Sequence, residues 1–316
     1  MPKTNQDIYQ EFTDKIVARL RAGDAPPWRK PWTTNHYGLG FAPMNPVSGT
    51  SYRGINVWWL LMEQADKGYG RGLWVTYRQA KQLGGHVRKG EKGTHVILWK
   101  PTKGREKENP KTGKKERSAY LLMRTYTVFN VDQCEGIELP KKFRTELQKA
   151  PNKAQIDAEA QRVLDEYIER EAVGYTHTGS QAFYAPSMDH IQMPPRESFN
   201  GTAEYYSTAF HECGHSTGHT SRLNRESLTK VSMKGDHSYS REELVAEFCA
   251  AFLCGVTGVA MPESVENNTA YLKVWASKLE EDPKILIQAA AQAQKAADCV
   301  LGVEVTKHQE TREQAA

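Results

Sequence analysis

The stretch TAEYYSTAFHECGHSTGH, residues 202–219, restricts the fold of this chain more than any other. It carries His211, Glu212 and His215 in the order His-Glu-x-x-His. Two histidines four apart can meet one ion only if the chain between them is helical, because residues i and i+4 share a helix face. Tyr205, Tyr206 and Phe210 recur just upstream at helical spacing, so a helix over 202–218 with an apolar side to bury is predicted. The chain downstream offers a partner for that side. In REELVAEFCAAFL, Glu243 and Glu247 lie four apart among Leu244, Val245, Phe248 and Phe252. Carboxylates in so apolar a helix need a cation or hydrogen-bond donors. Two packed helices sharing one metal ion answer both demands.

Imidazole suits zinc, although another divalent transition metal is compatible with the same ligands. Glu212 stands beside the first histidine, where a carboxylate can take a proton from a metal-bound water. The third ligand comes from the second helix. Its order Glu-x-x-Ala-Glu resembles the third-ligand helix of Glu-type zincins, which usually read Glu-x-x-Ala-Asp. On that match Glu243 is the ligand and Glu247 supports a ligand histidine from the second shell. His219 and His237 are the alternatives. His219 follows His215 by four, but Gly218 is a natural helix stop, and the metzincin spacing would need histidine where Ser221 stands. Tyr239 could stabilise an oxyanion, or simply pack beside the site. By analogy with zincins, AFYAP or DHIQMP could supply a strand edge for an extended peptide.

Charge divides the chain in two. Residues 1–150 hold 27 Lys+Arg against 14 Asp+Glu, and the remainder holds 15 against 24, within an overall balance of +4. Six of the seven tryptophans lie in the basic part. A basic half implies a polyanionic partner, and an acidic half argues against nucleic acid coating the whole chain. No apolar run is long enough for a membrane span, and the N-terminus lacks the apolar core of a secretion signal. The expected compartment is the cytoplasm, where the five cysteines stay reduced; their spacing also excludes a CxxC zinc knuckle.

The periodicity predicts helices over 4–22, 54–66, 154–172, 202–218, 240–254, 263–280 and 283–300, with a further short helix from Trp74 to Leu83. Residues 94–100 and 119–130 read as a hairpin around a charged, mobile loop. AFYAP and DHIQMP read as short extended pieces. The fold class is α+β in two domains: a basic domain over 1–140, a linker at 141–153, a metallopeptidase-type domain over 154–305 and a disordered tail at 306–316.

Single-stranded DNA is bound by combining cationic grooves with aromatic platforms for the bases. Residues 81–117 hold 12 Lys+Arg against 4 Asp+Glu, and the turns of LGGHVRKGEKG present Arg88, Lys89 and Lys92 to phosphates. Tyr52, Arg53 and Asn56 could line a groove. Trp58, Trp59 and Trp74 lie within apolar runs and read as core. Trp28 and Trp32, with Tyr37 and Phe41, lie in irregular polar chain and are candidates for base stacking.

The runs FAPMNPVSGTSYRGINVWWL, WVTYRQAKQLGGHVRKGEKG and YTVFNVDQC resemble the N-terminal domain of ArdC-type antirestriction proteins, shared with TraC-type conjugative primases. AFYAPSMDHIQMP, FHECGHSTGH, SRLNR and YSREELVAEFCAAFLC resemble the zincin-like metallopeptidase domain that follows it. The likeness runs from about residue 4 to 300. It implies single-stranded DNA as partner, carriage on a conjugative element, and protection of incoming DNA from restriction. No stretch after residue 300 has the length of a primase module, so priming is not expected. Two other readings stay open: a non-enzymatic DNA-occluding protein with a structural metal, and a DNA-stimulated protease acting on a regulator. The protein substrate and the oligomeric state are not legible.

Overall fold

The computed structural model describes residues 5–30, 41–108, 115–144, 152–229, 237–261 and 269–303. The basic half opens with α1 (Asn5–Arg21), which buries Ile8, Phe12, Ile16, Val17 and Leu20. A single 3-10 turn follows at Pro27–Arg29. Helix α2 (Ile55–Lys67) buries Ile55 and every residue from Val57 to Met62. That part of the helix is apolar almost all round and belongs inside a protein, whereas Ala65, Asp66 and Lys67 at its far end are exposed. Gly68 ends it in the left-handed conformation, φ 65°, where a Cβ would be strained.

The predicted helix from Trp74 to Leu83 is shorter in the structure. Trp74–Val75 form strand β1, and α3 (Tyr77–Gln82) starts after Thr76, which accepts the Gln79 amide while the Gln79 side chain returns to the Thr76 amide. That reciprocal cap fixes the helix start one turn later than periodicity suggested. After β2 (His86–Val87), the hairpin strands are longer than expected: β3 spans Thr94–Glu108 and β4 spans Lys115–Asn130. Much of the predicted loop is therefore ribbon, with an irregular register between Lys103 and Glu106. Strand order is β1-β4-β3, while β5 (Cys134–Glu135) pairs, among the described residues, with β2 alone.

The acidic half starts with α4 (Lys153–Glu171), capped by Asn152. A small sheet follows, made of β6 (Gly174–His177), β7 (Phe183–Ala185) and β8 (His190–Met193). Its order is β6-β8-β7, so DHIQMP supplies the central strand and is paired on both sides. Of the two extended pieces proposed as a peptide-binding edge, only β7, from AFYAP, lies at one. The remaining elements are α5 (Thr202–Ser216), the single turn α6 (Glu226–Thr229), α7 (His237–Thr257), α8 (Thr269–Glu281) and α9 (Ile285–Leu301). Helix α7 packs between α5 and α9.

The halves share a core. Trp58 of α2 stacks on Phe252 of α7 at 4.9 Å between ring centroids and on Phe248 at 6.0 Å. Helix α1 lies on α8, α2 touches α9, and Arg53 pairs with the buried Asp298 of α9. The predicted linker begins as a 3-10 turn at Lys141–Phe143, with Phe143 buried; residues 145–151 of it, and the predicted tail at 306–316, lie outside the described residues.

Candidate metal centre and nucleic-acid face

Helix α5 buries Tyr205, Tyr206, Ala209, Phe210 and Cys213 on one side. The 3.6-residue repeat then carries His211 and His215 to a flank facing α7. Gly214 allows the approach: a Cβ there would lie 3.0 Å from the Ala246 Cα and 3.2 Å from the Cys249 Cβ. At that crossing α7 presents Glu243. The His211 and His215 Nε2 atoms are 3.1 Å apart. Glu243 Oε2 lies 3.6 Å from His211 Nε2, and Oε1 lies 3.5 Å from His215 Nε2. Among the described residues this is the one group of three potential ligands whose donor atoms converge, all within 4.8 Å of one another.

The donor chemistry fits a divalent metal. Two nitrogens bound to zinc at about 2.0–2.1 Å in tetrahedral array are roughly 3.3 Å apart, close to the separation here. Burial opposes protonation of His211, but Glu243, Glu212 and Glu247 together outweigh it and raise its pKa. That is the signature of a local negative field suited to a cation. Glu212 is 7% exposed, beside His211 on the same helix.

A carboxylate that sequence reasoning missed stands behind His215. Glu242 Oε1 is 3.6 Å from His215 Nδ1. Arg225 donates to Glu242 through Nε at 3.1 and 3.2 Å, and Ser227 Oγ donates at 2.6 Å. Burial alone would raise the Glu242 pKa; His215 and Arg225 more than offset it and hold it at about 2. Arg225 also donates to Thr217 Oγ1 at 2.7 Å and to the Gly214 carbonyl at 2.7 Å. It thus closes the C-terminal end of α5, where carbonyls lack helical partners and positive charge is favoured. The signal was present in the sequence as an arginine in SRLNR and a glutamate next to Glu243, but adjacent helix positions point about 100° apart and nothing local joined them.

Glu247, the expected supporting carboxylate, lies outside the group of three converging donors and meets the basic half. Its carboxylate accepts from Trp28 Nε1 at 2.9 Å and from Arg29 Nη2 at 2.9 Å. His219 is not drawn into the cluster either: its Nδ1 lies 2.8 Å from Ser221 Oγ and 3.7 Å from Asp189. The side chains of Tyr239 and His237, at the start of α7, lie outside the described residues. Arg222, from the same SRLNR stretch, donates to Asp189 at 3.0 Å and to the Ser216 carbonyl at 2.9 Å, tying the β7–β8 turn to the end of α5.

Several residues expected to face DNA point inward. Trp28 is fully buried, edge-on to Phe248 at 4.6 Å, and offers no face to a base. Phe41 is buried against Gly255. The Tyr52 hydroxyl turns to the Trp74 carbonyl at 3.4 Å, and burial raises its pKa. Arg53 is spent on Asp298. Asn56 donates to the Ile97 carbonyl at 2.7 Å and accepts from the Ile97 amide at 2.8 Å. Arg88 pairs with Glu91 at 2.7 Å, whereas Lys89 and Lys92 are exposed. Trp32 and Tyr37 lie outside the described residues. Among the described residues two aromatics of this half are exposed, Tyr126 and Tyr77, and the sequence reading passed over the second. Tyr77 is 52% exposed, with Lys81 Nζ 5.3 Å above its ring and Phe129 edge-on at 6.5 Å. Phe129 lies across Gly93, where a Cβ would meet its ring at 2.9 Å. Arg78 is exposed beside them.

A zincin-type pair of helices in one half and a basic α+β unit in the other define a two-domain protein with a metallopeptidase-like site. Residues 6–129 match the N-terminal domain of anti-restriction factor ArdC, and residues 162–292 match the zincin-like metallopeptidase family. An uncharacterised protein, y4eC, of Sinorhizobium fredii is 35% identical over 94% of this chain and 92% of its own length. The crystal structures of the antirestriction protein ArdC from plasmid R388 superpose along nearly the whole length. The metal-free form is 38% identical over 93% of this chain and 96% of its own, with a TM-score of 0.68. The Mn(II)-bound form is 36% identical over 95% and 99%, with a TM-score of 0.70. The chain belongs to the ArdC antirestriction family. It is also 33% identical to DNA primase TraC of Escherichia coli, of which it spans 29%. No helix among the described residues is long and apolar enough to cross a membrane.

Proposed function

We propose that this protein is a metal-dependent peptidase that also binds single-stranded DNA and serves to protect incoming DNA from restriction. The observation that carries the reading is the convergence of His211, His215 and Glu243 with Glu212 alongside. The three ligands would hold zinc, or another divalent metal such as the Mn(II) of the R388 relative. A bound ion lowers the pKa of water toward neutrality and polarises a peptide carbonyl. Glu212 accepts the proton released and passes it to the leaving amine. Glu242, fixed by Arg225, orients His215 through Nδ1, the arrangement by which outer carboxylates orient metal-bound histidines. The free edge of β7 is the surface for an extended peptide.

In the basic half, Tyr77 offers a face for a base, flanked by Lys81 and Arg78, with Lys89 and Lys92 near for phosphate. The deciding experiment measures bound metal by elemental analysis for the wild type and Glu212→Gln. Cleavage of the protein itself and of a general protein substrate is then followed, with and without single-stranded DNA. About one equivalent of metal in both forms, with cleavage only by the wild type, is expected. Metal in both and cleavage by neither favours a DNA-occluding protein with a structural ion, and metal in neither overturns the reading.

A further inference from the structure

We propose that Trp28 and Arg29 are positioning residues for the metal centre: they hold the Glu247 carboxylate off the ion and so keep open the coordination position that water must occupy. The proposal rests on the metal-peptidase reading and adds to it a control exerted by the basic half.

Glu247 follows Glu243 on α7 by four residues, so both lie on one helix face. It is 7% exposed. A buried carboxylate in that position must be paired or must coordinate. Here it is paired, by side chains more than 200 residues distant in sequence. Trp28 Nε1 donates to Oε2 at 2.9 Å, Arg29 Nη2 to Oε1 at 2.9 Å, and Arg29 Nε to Oε2 at 3.3 Å. The planar guanidinium meets the carboxylate through both oxygens, a geometry a lysine cannot copy. The turn that carries these donors is anchored by the buried Trp28 ring against Phe248.

A catalytic site needs three protein ligands and one open position, whereas a fourth protein ligand gives a closed, structural site. Glu247, one turn beyond Glu243 on the same face, is a carboxylate able to convert one into the other. Its restraint comes from the N-terminal half, so the seating of the Pro27–Arg29 turn sets the character of the metal site without touching the metal.

The test uses the full chain loaded with cobalt(II), whose visible spectrum shifts when an added ligand, thiocyanate, enters an open coordination position, a position that a site closed by a fourth protein ligand lacks. Arg29→Gln is expected to raise the thiocyanate concentration needed for the spectral shift roughly tenfold at unchanged cobalt stoichiometry, and Arg29→Lys to recover part of the wild-type response. The double variant Arg29→Gln/Glu247→Gln is expected to regain the wild-type response. Trp28→Phe, which keeps a ring and loses only the N–H, is expected to move the response in the same direction as Arg29→Gln. It decides the matter if Arg29→Gln does not fold. A wild-type response in the folded single variants would overturn the proposal and leave the contact as a structural ion pair. So would a double variant that keeps the defect, since the effect would then not pass through Glu247. Failure of the wild type to bind cobalt would remove the metal reading together with this one.

Discussion

Arg225 and Glu242 form a buried ion pair directly behind His215, with both side chains about 5% exposed and the guanidinium also closing the end of α5. Removing one partner strands the other's charge away from water. Arg225→Ala should therefore cost about 3–5 kcal/mol of stability, read by urea unfolding without added metal. Glu242→Gln keeps the shape but weakens the hold on His215. Metal affinity should fall about 10–100-fold by calorimetric titration, while Glu242→Gln remains folded. Unchanged affinity would assign the pair to stability alone.

Gly214 sets the distance between the two site helices. A methyl at that position meets Ala246 Cα at 3.0 Å, and backbone cannot yield as a flexible side chain can. Gly214→Ala should destabilise by about 1–3 kcal/mol from overpacking, despite alanine's better helix propensity. Metal binding should weaken with it as Glu243 is displaced. Melting temperatures with and without metal separate the two effects.

Tyr77 is exposed, so replacing it leaves the core intact. If bases stack there, Tyr77→Ala should weaken binding of oligo-dT by about 1–3 kcal/mol, and Tyr77→Phe should retain most of the affinity. Fluorescence anisotropy at fixed salt measures both. Lys89→Ala and Lys92→Ala should instead reduce the salt dependence. Equal affinity of wild type and Tyr77→Ala would move the stacking surface elsewhere.

Asp189 is held below its usual carboxyl range: burial pushes it up, and Arg222 with Tyr184 more than reverses this. A depressed folded pKa contributes stability that is present above the unfolded value and lost as pH falls through the folded one. Asp189→Asn should therefore lower stability at neutral pH and flatten the loss between pH about 4 and lower values. Denaturant midpoints across that range provide the check.

The helix bearing His211 and His215 was legible because an i, i+4 relation is local. The choice of Glu243 depended on a short resemblance in α7. Trp28 was misread for the opposite reason. PPWRKPW looks like exposed irregular chain, and only the placement of α7, far along the sequence, makes its tryptophan core. The outer half of the hairpin was taken for a loop because lysines and glutamates mask strand alternation, while cross-strand pairing, a non-local property, carries it to Glu108 and Lys115. Tyr77 was hidden by its neighbours: the buried Trp74 and Val75 made the segment read as one apolar helix.

The side chain of Asn56 bears on what the edge of β3 can pair with. Strand β3 is an outer strand of its sheet, and outer strands present amides and carbonyls that invite another chain to add on. At Ile97 both backbone groups are occupied by the Asn56 amide, which donates and accepts as a neighbouring strand would. One asparagine, by imitating a strand for the length of a single residue, interrupts the ladder along which self-assembly would zip.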